Sequence, residues 1–249
     1  MKMIFPTALA LAGALALSGC EKAGGEPDAA FGAKVRAYLL ANPEVLQEMA
    51  VKLQEKERLA QQTAAKDAIA EFRQQLERDP RDIVINPQGE ITVVEFFDFN
   101  CAYCKLAAPE VVKLVEENPD VRLVFKHFAF QTEHAITASK VALTPPARAH
   151  GLALYKTLMA QKPLNPETID RSLRAVGLDP AAARRAADDP AIAQQIEDAH
   201  MLAQQLGIDG TPAFVVGDRV IHGADIASLK AAIASTRAAS MKKPGPAPT

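Results

Sequence analysis

The chain has 249 residues, with 28 Lys and Arg against 30 Asp and Glu, a net charge of −2 at neutral pH. That balance offers no electrostatic reason for a polyanionic partner and argues against nucleic acid. Hydrophobic residues make up 49% and charged residues 23%, so most of the chain can bury a core rather than stay disordered. Its 3 cysteines are too few for a disulfide-stapled scaffold, so their positions carry the information.

Residues 1–20 begin with a single Lys2, continue as an apolar run and pass through small residues into Cys20. The run is shorter than the roughly 20 apolar residues of a spanning helix and has the flanks of a secretory signal peptide. Its end, Leu17-Ser18-Gly19-Cys20, resembles the lipobox of bacterial lipoproteins. That resemblance implies a signal peptide over residues 1–19 and an acylated Cys20 that takes membrane lipid as its partner. The protein is then periplasmic on a lipid anchor, with the outer membrane first in line. A signal peptide cut elsewhere would instead leave Cys20 as a free thiol. Residues 20–30, rich in Gly, Pro and charge, read as a tether.

Residues 31–80 carry a helical pattern. Phe31, Val35, Tyr38 and Leu39 recur at three- and four-residue spacing. Asn42-Pro43 then supplies a cap residue and a Pro at the first position of a second helix. Leu46, Met49 and Leu53 continue the stripe, as do Ala65, Ile69, Phe72 and Leu76, with a fully charged interval around Glu55-Lys56-Glu57-Arg58 between them. Such a broken stripe buries little on its own chain. Residues 31–78 therefore read as a solvated stalk or as an element of self-association into a homo-oligomer, and the second is preferred. On either reading they face no partner in the following domain, which is expected to fold without them.

Residues 81–240 read as an α/β domain. Ile91–Phe97 is β-branched and aromatic, a buried strand; residues 103–117 are helical, and residues 121–125 form a second strand. That βαβ unit implies a parallel pair with a right-handed crossover. Residues 133–206 are helical, punctuated by Asn165-Pro166, Asp179-Pro180 and Asp189-Pro190, each a cap residue followed by Pro, and stopped by Gly207. Ala213–Val216 and Arg219–His222 form a hairpin about Gly217-Asp218, and a last helix spans residues 226–236. Residues 241–249, rich in Pro, read as a disordered tail.

The chemistry falls on Cys101 and Cys104, placed where a strand gives way to a helix. Cys101 at a helix start meets unpaired N–H groups and the positive end of the dipole, which lower a thiol from about 8.5 towards 3.5–7.5. Cys101 is expected to stand open to solvent there, whereas Cys104, one turn inside, is shielded. Cys101 therefore attacks and Cys104 resolves the mixed disulfide. A zinc site needs four ligands, and His127, His134, His150, His200 and His222 show no paired spacing, so no metal is assigned. A purely structural bridge between these two cysteines closes too short a loop to stabilise much. No cofactor is assigned either.

The segment Phe96-Phe97-Asp98-Phe99-Asn100-Cys101-Ala102-Tyr103-Cys104-Lys105 resembles the active-site strand, turn and helix of DsbA-like thioredoxin-fold proteins. The order that follows also matches, through Gly210-Thr211-Pro212-Ala213-Phe214 and the hairpin, over about residues 91–236. Residues 35–57, with Ala41-Asn42-Pro43-Glu44-Val45-Leu46, resemble the N-terminal region of ScsC-like members, some of which oligomerise through it. The resemblance implies a thioredoxin-like fold with a helical insertion, preceded by an extended helical arm. It implies that Pro212 is a cis-proline facing the dithiol, with Thr211 before it and Tyr103 beside it on a substrate-binding surface. It also implies that Glu95 is a buried acid taking a proton from the resolving thiol; from the residues alone, Glu95 fits a strand edge in water equally well. Two departures stand out: Ala102 replaces the family's common Pro, and no His lies between the cysteines. Both point to a weaker oxidant than the strongly oxidising members. Asp98 reads as a polar neighbour without a role, and His127 and His134 as core or surface residues.

The resulting reading is thiol:disulfide interchange on unfolded or misfolded secreted proteins, isomerase or reductase before oxidase, with a membrane thiol:disulfide partner. Its rivals are a monomeric oxidase, and a non-enzymatic chaperone or Cu(I)-binding dithiol protein.

Overall fold

The structure, a computed structural model, describes residues 29–241. The signal peptide, Cys20, most of the tether and nearly all of the Pro-rich tail lie outside the described residues. The chain divides into two compact units, one through Gln54 and one from Glu55 onward.

The first unit holds α1 (Ala29–Ala41) and the start of α2 (Glu44–Glu71). Asn42, expected to cap α2, instead turns its side-chain amide back to donate to the Tyr38 carbonyl at 2.9 Å, closing the end of α1. No residue of α1 is buried, and Phe31, Tyr38, Leu46, Met49 and Leu53 stand exposed.

The second unit continues α2 through α3 (Arg73–Glu77), β1 (Ile83–Ile85), β2 (Ile91–Phe97), α4 (Ala102–Glu117) and β3 (Val121–His127). A helical stretch follows: α5 (Glu133–Ala142), α6 (Pro145–Arg148), α7 (Gly151–Met159), α8 (Pro166–Ala175), α9 (Pro180–Ala186) and α10 (Pro190–Gln205). It closes with β4 (Ala213–Val216), β5 (Arg219–His222) and α11 (Ile226–Met241), a helix five residues longer than its periodicity predicts. Asn165, Asp179 and Asp189 each accept a first-turn backbone N–H, as cap residues before Pro should.

One five-stranded sheet runs in the order β1-β3-β2-β4-β5. The pair β2 and β3 is parallel and every other pair antiparallel. The strand β1 escapes sequence reading because three residues carry no period. Both faces of the sheet are covered, which is why β2 is apolar almost throughout. Ile91, Val93 and Phe97 face a core shared with α4, α7 and α11; Val94 and Phe96 face a second core.

That second core corrects the expectation that residues 31–78 have no partner in the domain. Ile69 and Leu76 have no exposed surface and pack with Val94, Phe96, Val124 and Val215. Burying them has a polar counterpart. A helix end leaves carbonyls without partners, and Arg122 and Lys126 of β3 donate to those of Glu77 and Gln75. No described helix is long and apolar enough to cross a membrane.

Candidate active site

Central strand β2 delivers the site and α4 receives it. Cys101 is the N-cap of α4, with φ −69° and ψ 125°, and its sulfur accepts the backbone N–H of Cys104 at 3.4 Å. Its thiol also lies against the Thr211 carbonyl, Sγ to O 3.2 Å, 110 residues away in sequence. The Thr211–Pro212 peptide is cis, Pro212 is buried, and Tyr103, between the two cysteines, stands 65% exposed. The carbonyl of Pro212 accepts the Gly223 N–H at 2.8 Å, fastening this loop to the end of β5.

The two thiols differ sharply in acidity. Cys101 is pulled down to about 5, chiefly by hydrogen bonding from Cys104, against the upward push of burial and with help from Thr211 and the N–H groups of α4. Burial drives Cys104 the other way, far above the ordinary thiol range, and the charge of Glu95 adds to it. One thiolate stabilised beside one thiol that resists ionisation is the arrangement that attack and delayed resolution require.

The structure corrects one part of the sequence reading. Cys101, expected to stand open to solvent, is only 3% exposed, and Cys104 0%. The contrast between them rests on hydrogen bonding at Cys101 and on burial at Cys104, not on how open either sulfur is to solvent.

Glu95 is fully buried, which excludes a strand edge in water. It lies in β2 between Phe125 of β3 and Phe214 of β4. Burial raises its carboxyl to about 8, opposed by a hydrogen bond from the Tyr155 hydroxyl at 3.0 Å.

Sequence reading missed three contributors. Asp98, with no exposed surface, accepts the N–H of Asn100 at 2.6 Å on Oδ1 and those of Phe130 and Gln131 at 3.1 and 3.2 Å on Oδ2. Its own carbonyl accepts the Cys101 N–H at 3.1 Å. One carboxylate thus sets both the dithiol turn and the loop after β3. Lys105 brings a half-buried ammonium near the dithiol, donating to the Gln161 carbonyl. Tyr155 comes from α7, in the helical insert, and only the fold brings it to Glu95. His127 is buried against Phe97 and Phe99, held neutral by burial, at about 3, and has no hydrogen-bond partner among the described residues; His134 is exposed. Among the described residues no group of three or more His, Cys, Asp or Glu is arranged to hold a metal.

Residues 92–234, more than half of the chain, match the DSBA-like thioredoxin domain. The chain belongs to the DSBA-like thioredoxin family. Residues 28–60 match the N-terminal domain of the copper resistance protein ScsC. A thioredoxin-like oxidoreductase from Silicibacter pomeroyi is 37% identical, covering 66% of this chain and 97% of its own, with a TM-score of 0.63. Proteus mirabilis ScsC in a transitional conformation is 30% identical, covering 85% and 99%, with a TM-score of 0.62. A periplasmic thioredoxin-like protein from Salmonella enterica serovar Typhimurium is 29% identical, covering 67% and 96%, at 0.61. Among curated proteins, Na(+)/H(+) antiporter NhaA 3 of Salinispora tropica is 29% identical over 172 residues, and the chain spans 26% of its length.

Proposed function

We propose that this DSBA-family protein catalyses thiol:disulfide interchange on unfolded or misfolded secreted proteins in the periplasm, held to a membrane by an acylated Cys20. Isomerase or reductase action comes before oxidase action. The observation that carries the reading is the Cys101 sulfur, the N-cap of α4, set 3.2 Å from the carbonyl beside the cis-proline. A substrate strand pairs with the Thr211 backbone, Tyr103 adds contact surface, and the substrate disulfide then lies in line with Cys101. The Cys101 thiolate attacks one substrate sulfur and the other leaves with the bonding pair. Cys104 next gives its proton to Glu95 and closes on Cys101, releasing the substrate reduced and the dithiol oxidised; a membrane thiol:disulfide partner returns the electrons. In isomerisation a second substrate thiol releases Cys101 before Cys104 closes.

A Cys101 thiol at about 5 falls between the thioredoxin value of about 7 and the strongly oxidising extreme of about 3.5, consistent with Ala102 and the missing His. The exposed apolar residues of α1 and early α2 support self-association through residues 31–78, which would set several dithiols around one substrate. Sedimentation mass of the delipidated protein, paired with refolding of a scrambled disulfide substrate, tests the reading. A multimer that unscrambles is expected; a monomer that only oxidises reduced substrate would replace this reading with the oxidase. Cys20→Ser should release the protein from membranes, and a wild type already free in the periplasm would remove the anchor.

The match of residues 28–60 to a domain named for copper resistance supports a second reading, Cu(I) sequestration by two adjacent thiolates. Unchanged Cu(I) stoichiometry after Cys101→Ala would eliminate it.

A further inference from the structure

The helical insert enters the site through one side chain. Tyr155, on α7, donates its hydroxyl to Oε1 of Glu95 at 3.0 Å across 60 residues of chain. Neither group meets solvent: Glu95 is 0% exposed and Tyr155 2%. The Tyr155 ring is held on several sides, stacked on Phe125 at 4.5 Å, edge-on to Phe97 at 5.3 Å and beside Phe99 at 6.4 Å. A hydroxyl on so confined a ring has little freedom to leave its acceptor.

The two oxygens of Glu95 are therefore unlike. Oε1 has a donor, and Oε2 has no hydrogen-bond partner among the described residues. A neutral carboxyl carries its proton on one oxygen. Among the described residues, Glu95 Oε1 is the sole hydrogen-bond partner of the Tyr155 hydroxyl. A proton placed on Oε1 would leave the Tyr155 hydrogen only the weakly accepting hydroxyl oxygen of the acid, in a dry site, a costly arrangement. The proton therefore stands on Oε2. Burial also lifts the phenol well above its ordinary pKa, so Tyr155 remains a donor at every working pH. Cys104 and Tyr155 lie in one buried core with Phe97 and Phe125, and Tyr155 brings Glu95 to that core through its hydrogen bond.

We propose that Tyr155 is a positioning residue, whose hydroxyl holds Oε1 of Glu95 so that Oε2 is the atom that takes the Cys104 proton during resolution. This rests on the reading of Glu95 as proton acceptor given above. In the step, the Cys104 thiol passes its proton to Oε2 and its sulfur attacks Cys101 Sγ. The Cys101–Cys104 bond forms as the bond from Cys101 to the substrate sulfur breaks. That sulfur leaves with the bonding pair and takes a proton from water, and Glu95 later returns its own proton to water. The dithiol loses two electrons and the substrate disulfide gains them.

Stopped-flow reduction of dithionitrobenzoate by the full-length reduced protein separates the stages. The first nitrothiobenzoate released reports attack by Cys101, and the second reports closure by Cys104. The second rate is followed across pH for wild type, Tyr155→Phe, Glu95→Gln and the double variant. Tyr155→Phe withdraws a hydrogen bond that favours the carboxylate. The second release should slow about tenfold at neutral pH and its midpoint move alkaline by about one unit. The first release should be unchanged, which also shows that the variant is folded. Glu95→Gln should abolish the midpoint, and adding Tyr155→Phe to it should change nothing further. Equal slowing by Tyr155→Phe in the Glu95→Gln background would assign Tyr155 to packing and overturn the proposal. An unmoved midpoint in Tyr155→Phe, with Glu95→Gln still losing it, overturns the proposal and leaves Glu95 as acceptor. A midpoint that survives Glu95→Gln removes the acceptor reading, and this one with it. Without any Tyr155 variant, the infrared difference between wild type and Glu95→Gln at mildly acidic pH should show a carbonyl band lowered by one accepted hydrogen bond. A band at the free-carboxyl position overturns the proposal.

Discussion

Arg122 donates from β3 to the Glu77 carbonyl at 2.8 Å, holding the last turn of α3 against the sheet. Lys126, four residues on, donates to the Gln75 carbonyl and pairs with Asp82, with both side chains of that pair buried. The end of the helical arm thus belongs to the domain's own second core.

Truncation should separate the two parts of that arm. Removing residues 29–54 takes nothing from the second core, so the denaturation midpoint of the remainder should hardly move. Removing residues 29–78 strips Ile69 and Leu76, each contributing about 1.5–3 kcal/mol of burial, and leaves two buried cations without their carbonyls. That is a large fraction of the roughly 5–15 kcal/mol stability of an ordinary domain. Urea titration of both truncations reads the difference, and equal midpoints would overturn it.

How much of this was legible beforehand follows from which interactions are local. The dithiol turn at the start of α4, the caps Asn165, Asp179 and Asp189 that Pro follows, and the apolar run of β2 are written in neighbouring residues, and the structure agrees there. The place of Ile69 and Leu76 was not legible: their spacing says that one face is apolar but not what covers it. Tyr155 carries no local signal at all, because its partner is 60 residues away. Asp98 was underread for a related reason. Its side chain answers N–H groups of a loop 32 and 33 residues downstream.

Alkylation should distinguish the thiols by charge. Near pH 5, about half of Cys101 is thiolate and Cys104 is protonated, so a small reagent should label Cys101 alone, though neither is openly exposed. Cys104→Ser should accumulate mixed disulfides and Cys101→Ser should not. Thr211→Val removes one of the groups that lower Cys101, so its labelling midpoint should rise by up to about one unit. The folded value lies below the unfolded one. The thiolate therefore stabilises the reduced fold above the ordinary thiol pKa, and that contribution is lost as pH falls through about 5. Mass-spectrometric mapping that finds Cys104 labelled first would reverse the assigned roles.

Asp98→Ala should be among the most damaging single changes outside the dithiol. Three backbone N–H groups lose their carboxylate acceptor, and hydrogen bonds of that kind contribute about 1.5–3 kcal/mol each. The loss should exceed about 3 kcal/mol in urea, with altered Cys101 reactivity because the same turn positions its N–H. A variant as stable as wild type, with the same Cys101 labelling midpoint, would show that the loop is held by other means.

Glu95 should leave a signature in the pH dependence of stability that can be read apart from its chemistry. Its folded pKa of about 8 lies above the ordinary carboxyl value of 4.5, because burial disfavours the charge. Below 4.5 it is protonated in both folded and unfolded chains and costs nothing by ionisation. Between 4.5 and about 8 the unfolded chain has released a proton that the folded one keeps, so the fold loses roughly 1.4 kcal/mol per pH unit relative to a residue that cannot titrate. Above about 8 both forms are ionised and the cost is constant. Measured on the oxidised protein, where neither thiol titrates, the stability of Glu95→Gln minus that of wild type should be flat in acid, climb through neutrality and level off in mild alkali. Gln retains an acceptor for the Tyr155 hydroxyl, so the constant offset from the changed amide does not alter that shape. Two parallel stability curves would mean that Glu95 titrates as an ordinary carboxyl, and its place as a proton acceptor for Cys104 would go with them.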